Sequence, residues 1–420
     1  MSSWLFLAVS LWGAWFTYNA HRPRGAGPRF SIVSFFGGWL TSELALHHIA
    51  WQAVATLGFG LAGAFGAWPG LLGLGVTLAS WVGLGLAQLR AMRSGEVVEA
   101  ALREGLGPEY ALAIRPELRE TLVGDVDWLR VARPFPIRSR DVERIRDVRY
   151  GRAKGVDLDL DVYRSSSAPQ NAPVLFQIHG GGWTIGSKDE QGLPLMTHLA
   201  QRGWVCVAAN YRLSPHATFP DHLIDLKRAR AWIGEHIAEH GGDPDFVAVT
   251  GGSAGGHLAA LVALTANDPE YQPGFEAVDT SVRCCVPFYG VYDFTNHKQT
   301  LLHDGMTGFL EKQIMKGSLD EIRADWERAS PIHRVHADAP PFFVIHGELD
   351  TLVPVGEARE FVTALRRVGC ESVTYAELPG AQHAFELFPS VRTLYTINAV
   401  DRFLANVYSR YLEDRGEAAA

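Results

Sequence analysis

The run Phe246-Val247-Ala248-Val249-Thr250-Gly251-Gly252-Ser253-Ala254-Gly255-Gly256 decides how this chain is read. Phe246–Thr250 is short, apolar and β-branched-rich, as a strand buried on both faces is. The pattern from Gly255 to Ala266 is helical. Between them lies G-x-S-x-G, which places a serine in a tight strand-to-helix turn. The glycines are steric necessities, because a side chain two residues either side of the serine would meet the crossing backbone. The helix N-terminus behind Ser253 favours negative charge developing there. Glycine-rich turns of this kind also bind phosphates, so the reading depends on what accompanies the motif.

Strand and helix alternate outward from it. Val174–Ile178, Trp204–Ala209, Cys284–Phe288 and Phe342–Ile345 read as further buried parallel strands. Gln191–Arg202, His222–His240 and Val355–Val368 read as the helices between them, and Leu394–Tyr411 as a closing amphipathic helix. Val142–Tyr150 and Val156–Tyr163 read as an antiparallel pair ahead of them. The expectation is an α/β fold with a mostly parallel, doubly wound sheet. Three companions of the serine sit on loops at strand ends, where open α/β sheets place their sites. His179-Gly180-Gly181-Gly182-Trp183 follows Val174–Ile178, and its glycines let backbone N–H groups point at a substrate oxygen, with the N–H of Ala254 as a further donor. Asp350 follows Phe342–Ile345, and His383 follows a strand-like Val373–Glu377. The roles expected are Ser253 as nucleophile, His383 as general base and Asp350 as the group that orients the imidazole.

With these motifs, residues from about 140 to 415 resemble the hormone-sensitive-lipase-like branch of the α/β-hydrolases, the bacterial family IV esterases. Asn210-Tyr211-Arg212-Leu213-Ser214-Pro215, Phe219-Pro220 and Gly242-Asp243-Pro244 strengthen the resemblance. It implies carboxylic ester hydrolysis by Ser253, Asp350 and His383, oxyanion donors at Gly180, Gly181 and Ala254, and a cap built from the segment before the core. No cofactor or metal is called for. The chain departs from the family twice. Gly252 stands where an aspartate is usual, and Thr351-Leu352-Val353-Pro354 replaces the usual run after the catalytic aspartate. Kynurenine formamidase is similar around His179–Trp183 and the elbow, so an amidase is the second enzyme reading. A hydrolase fold without activity, serving as a membrane interaction module, is the non-enzyme reading.

The first 93 residues are of another kind. Residues 1–89 hold four charged side chains, Arg22, Arg24, Arg29 and Glu43, in a chain that is 20% charged overall. Trp4–Tyr18, Ile49–Trp68 and Leu71–Leu89 are each long enough, or nearly so, to cross a bilayer at the ~1.5 Å helical rise. Pro69-Gly70 reads as the turn between the last two. Phe30–Ser42 is shorter than a span and reads as an interfacial helix or, with Glu43 to His48, as a marginal fourth span. Basic flanks at Arg22, Arg24 and Arg29 and at Arg90 and Arg93 belong on one side of the membrane, so an even number of spans separates them. This predicts about three spans over 1–93, a connector and cap helices over 94–140, and a catalytic domain over 141–420. The expected location is the cytoplasmic membrane, with the catalytic domain cytoplasmic and the N-terminus outside. Seven of the twelve tryptophans precede residue 90, as interfacial anchoring predicts. The substrate expected is a small-molecule or lipid ester. A net charge of −8 gives no support to a nucleic-acid partner. Cys206, Cys284, Cys285 and Cys370 show no paired spacing and read as buried thiols.

Other residues carry plainer expectations. His257, one turn after Ser253, is read as packing. His346 and Glu348 are read as support for Asp350, and Asp221, His222 and Asp225 as a polar helix start. Asp157, Asp159 and Asp161 alternate along one strand and are read as a solvated face. Trp183, Phe288 and Tyr289 line the acyl pocket or belong to the core, with Trp183 and Tyr289 the substrate-binding candidates.

Overall fold

The computed structural model describes residues 1–24, 28–135, 139–300 and 305–416. The Arg29 side chain, part of the first basic flank, lies outside the described residues.

Eight strands form one sheet: β1 (Val142–Ala153), β2 (Val156–Ser165), β3 (Ala172–Ile178), β4 (Val205–Ala209), β5 (Gly242–Gly252), β6 (Cys284–Phe288), β7 (Phe342–Gly347) and β8 (Val373–Leu378). Their spatial order is β1-β2-β4-β3-β5-β6-β7-β8. β1 pairs antiparallel with β2, and β2 with β4; every other pairing is parallel. Every residue of β3, β4, β6 and β7 is buried, as their uninterrupted apolar sequences require. The sheet is the mostly parallel, doubly wound one expected from the alternation, and it has the α/β-hydrolase fold that the resemblance implies.

The helices are α1 (Ser2–His21), α2 (Pro28–Glu43), α3 (Ala45–Leu61), α4 (Trp68–Met92), α5 (Ser94–Leu106), α6 (Pro116–Arg119) and α7 (Trp128–Ala132), followed in the hydrolase by α8 (Leu193–Gln201), α9 (Asp221–His236), α10 (Ala254–Leu264), α11 (Gly305–Phe309), α12 (Arg323–Arg328), α13 (Gly356–Arg367) and α14 (Val391–Asp414). Val98 and Leu102 of α5 join the core cluster that α14 forms with one face of the sheet. The segment expected as a cap thus packs beside β8 and α14, where a Cβ on Gly105 would meet Thr374.

The N-terminal helices pack inside out. On α1 the buried residues include Ser3, Ser10, Gly13, Thr17 and Asn19, while Trp4, Leu5, Leu11, Trp12 and Tyr18 are exposed. α4 buries Gly70, Gly73, Thr77 and Ser80 and exposes Leu71, Leu72, Leu78, Val82 and Leu86. α1 and α4 run parallel: Trp4 meets Trp68, Thr77 Oγ1 donates to Ser10 at 3.0 Å, Thr17 and Ser80 share a hydrogen bond of 2.7 Å, and His21 Nε2 bonds Gly83 O at 2.8 Å. α3 runs the other way, with Phe59 against Phe6 and His48 against Phe16. The stretch Trp68–Leu106 contains a window apolar and long enough to cross a membrane, with mean hydropathy 1.7, and α2 with α3 qualifies only as a pair bent by 93°. The turn before α4 is not at Pro69-Gly70. It lies at Gly63–Ala67, and Pro69 opens α4, where a missing N–H costs nothing.

A second difference concerns the three aspartates. Asp157 and Asp159 do face outward and pair with Arg149. Asp161 is fully buried, held by Arg144 and by Lys188 at 3.1 Å. The antiparallel partner β1 and the loop after β3 cover that end of β2, which strand alternation alone does not reveal. All four cysteines are buried and free.

Candidate active site

Ser253 sits between β5 and α10 with φ 59° and ψ −122°, a conformation that side chains rarely adopt. Its N–H donates to Phe288 O at 3.0 Å, which ties the elbow to β6. The flanking glycines are sterically required. A Cβ on Gly255 would lie 2.2 Å from Ile178 O, and one on Gly251 would lie 2.5 Å from Gly255 O. The register Ile178↔Gly251 between β3 and β5 creates this crowding.

The same pairing sets the loop after β3 beside the serine. A Cβ on Gly180 would stand 3.1 Å from Ser253 Cβ. Gly181 has φ +114°, and a Cβ there would reach Ile185 O at 2.1 Å. The Gly180 N–H donates to Gln191 Oε1 at 2.7 Å. Ala254 is the first residue of α10, so its N–H has no partner within the helix. Tyr211 stacks on the His179 ring at 4.4 Å and donates to His179 O at 3.0 Å, and Arg212 forms a two-pronged pair with buried Asp225. These contacts give the Asn210–Pro215 run its task, which is to brace the glycine loop. Asp221, His222 and Asp225 do lie at the start of α9, and there Asp225 also clamps Arg212 while His222 bonds Ser214 at 3.0 Å.

Asp350 and His383 come together from the loops after β7 and β8. His383 Nδ1 lies 2.6 Å from Asp350 Oδ2. A carboxylate accepts only, so Nδ1 carries the proton and Nε2 is left as the acceptor. Asp350 Oδ1 accepts the N–H groups of Leu352 at 2.9 Å and Val353 at 2.8 Å. Burial by itself would raise the Asp350 carboxyl, but the His383 charge and the hydrogen bonds from His346 and His383 bring it down to about 2. His346 Nε2 bonds Val353 O at 2.8 Å, and Glu348 accepts the Gly380 N–H at 2.8 Å, so both support the Asp350 turn. Gln382 Oε1 accepts from Thr351 N at 2.8 Å and from His383 N at 2.9 Å, joining the two loops. Sequence reasoning passed over Gln382, whose position next to His383 was the available signal.

Among the hydrogen bonds of the described residues, none joins Ser253 Oγ to His383 Nε2; Tyr289 connects their neighbourhoods. Its ring packs on the His383 ring at 4.5 Å, and its hydroxyl is 2.6 Å from where a Cβ on Gly252 would stand. Catalytic hydrogen bonds often tighten only when substrate binds. The Tyr289 hydroxyl donates to Glu386, whose carboxyl burial pushes up to about 7. Glu386 thus brings a carboxylate to the side of the elbow where Gly252 lacks one.

The remaining candidates sort by burial. His257 accepts from Trp183 Nε1 at 3.2 Å and bonds Ala329 O at 2.7 Å through Nε2, so both ring nitrogens are used in packing. Burial lowers it to about 3. Trp183 is 2% exposed and packs edge-on to His257 and Phe294, in the core. Phe288 is buried against Phe385.

The helix that meets the catalytic loops is α2. Trp39 Nε1 donates to Ala384 O at 2.7 Å, and the Phe35 ring lies 6.3 Å from the His383 ring. Thr351 Oγ1 donates to Ser31 O at 3.3 Å, and Glu43 forms a buried pair with Arg392 and accepts from Ser390 at 2.7 Å.

Comparison with known proteins places the chain beside carboxylic ester hydrolases. The BD-FAE family profile matches residues 160–365. The chain is 46% identical over 406 residues to the probable carboxylic ester hydrolase LipM of Mycobacterium tuberculosis, covering 94% of this chain and 91% of that one. It is 40% identical over 387 residues to esterase LipQ of the same organism, covering 91% and 86%. Among solved structures, the butyrate-bound thermophilic esterase of Thermogutta terrifontis superposes with a TM-score of 0.52 at 26% identity, over 67% of this chain and 96% of that one.

Proposed function

This chain belongs to the hormone-sensitive-lipase-like family of α/β-hydrolase carboxylic ester hydrolases, and from that premise we propose that it cleaves an apolar ester at a membrane through an acyl-enzyme on Ser253. The observation that carries the proposal is the His383–Asp350 contact of 2.6 Å beside a serine in the strained elbow. In this mechanism Ser253 Oγ attacks the ester carbonyl as Nε2 of His383 takes its proton. The carbonyl π electrons move onto oxygen, which receives the N–H groups of Gly181 and Ala254. Gly180 leaves room beside Ser253, its own N–H being held by Gln191. Each oxyanion donor contributes ~3 kcal/mol of transition-state stabilisation. Collapse breaks the acyl–alkoxide bond, and the imidazolium returns the proton to the alkoxide. Water then repeats the sequence and frees the acid. Asp350 holds the imidazole with its proton on Nδ1 throughout.

The membrane part of the proposal rests on the inside-out helices. α1, α3 and α4 serve as three spans, with small and hydroxyl residues between them and apolar ones toward lipid. Parallel α1 and α4 put both basic flanks at the hydrolase end, the cytoplasmic side by the positive-inside bias. The test is Ser253→Ala in detergent-purified protein. It is expected to remain folded, to lose hydrolysis of p-nitrophenyl butyrate and to lose labelling by a fluorophosphonate. Retention of wild-type hydrolysis would refute the assignment.

A further inference from the structure

α2 meets the catalytic loops on one flank and, among the described residues, leaves apolar side chains exposed on another. Ser31, Ser34, Gly37, Gly38, Thr41 and Ser42 are buried, whereas Phe30, Ile32, Val33 and Phe36 are exposed. A helix facing water would have the opposite arrangement. A helix facing hydrocarbon packs its small residues on neighbours, as Gly37 does on Trp15 and Gly38 on the backbone of Asn19 in α1. α2 packs on α1 near the hydrolase end, and Trp12 and Trp15 of α1 are exposed as well. Yet α2 is bent 93° from α3, so it crosses the end of the bundle instead of following it. The opposite flank of this helix holds Phe35 near His383, Trp39 on Ala384 O and Ser31 O on Thr351, and so meets the loops of both His383 and Asp350.

We propose that α2 lies in the membrane interface as one wall of the catalytic site, and that the substrate is an uncharged long-chain acyl ester that enters from the leaflet past Phe35. The proposal rests on the Ser253 reading and deepens it. From Phe30 to Ser42 the helix carries no charged side chain, so an acyl chain lying along Phe30, Ile32, Val33 and Phe36 meets apolar surface. Delivery along α2 removes the cost of bringing a long chain through water.

The experiment uses the full chain reconstituted in phosphatidylcholine vesicles. Val33→Asp combined with Phe36→Asp changes the lipid-facing flank alone. The expected result is at least a tenfold loss of hydrolysis of p-nitrophenyl palmitate dissolved in the vesicles, with p-nitrophenyl butyrate hydrolysis kept within twofold. Undiminished palmitate hydrolysis overturns the proposal. If both activities fall, a fluorophore on Val33→Cys decides, since the native cysteines are all buried. Quenching by doxyl-labelled lipid supports the proposal, and quenching by aqueous iodide alone overturns it. Ser253→Ala on both esters keeps the two readings apart: residual butyrate hydrolysis there defeats the nucleophile assignment and leaves the position of α2 to the fluorophore.

Discussion

Asp350→Asn separates the two duties of this carboxylate. One oxygen accepts two backbone N–H groups, from Leu352 and Val353, and the other accepts from His383 Nδ1. An asparagine has one acceptor and one donor end to fill these places. If its NH2 turned toward the Leu352 and Val353 amides, two buried donors would lose their acceptor at about 1–3 kcal/mol each. The carbonyl therefore keeps that position, and the NH2 faces His383. The imidazole must then accept at Nδ1 and carry its proton on Nε2, where it cannot take one from Ser253. The fold survives while the base is lost. The same change in serine-protease triads lowers kcat by ~10⁴, or about 5 kcal/mol of transition-state stabilisation. The assay is kcat for p-nitrophenyl butyrate at pH 8 on titrated protein, with the urea midpoint measured in parallel. A kcat within tenfold of wild type at an unchanged midpoint would refute the tautomer argument. A large drop in midpoint would mean that the asparagine adopts the other orientation.

Three further outcomes are expected. Gly255→Ala places a Cβ 2.2 Å from a backbone oxygen that cannot yield, and is expected to cost at least ~2 kcal/mol in urea unfolding together with esterase activity. Glu386 titrates near 7 in the fold against 4.5 unfolded, so the folded state binds the extra proton and stability falls as pH rises through that window, by about 3 kcal/mol; Glu386→Gln is expected to flatten the stability profile between pH 5 and 7, and an unchanged slope would count against the burial argument. Arg392→Met leaves Glu43 buried without its cation, at about 3–5 kcal/mol, and the thermal midpoint should recover in part when Glu43→Gln is added.

The strands, the elbow and the order Ser253, Asp350, His383 were legible because each rests on a local rule. Burial on both faces writes an apolar run, and a crossing backbone excludes side chains at Gly251 and Gly255. The loops at the ends of parallel strands necessarily share one edge of the sheet. What the sequence could not convey were meetings between distant segments. Asp161 looks like the third member of a solvated row until Arg144 and Lys188 close over it. Trp183 looks equally suited to a pocket and to a core, and its contacts with His257 and Phe294 decide. Glu43, the lone acid among the first 89 residues, gave no sign that its partner was Arg392. The amphiphilic sense of α2 was invisible for the same reason. Serines and glycines between phenylalanines carry no periodic signal that says which side stays exposed. That side is set by what fills the other, and here it is filled by α1 and by the loops of Asp350 and His383, chain that folds more than three hundred residues later.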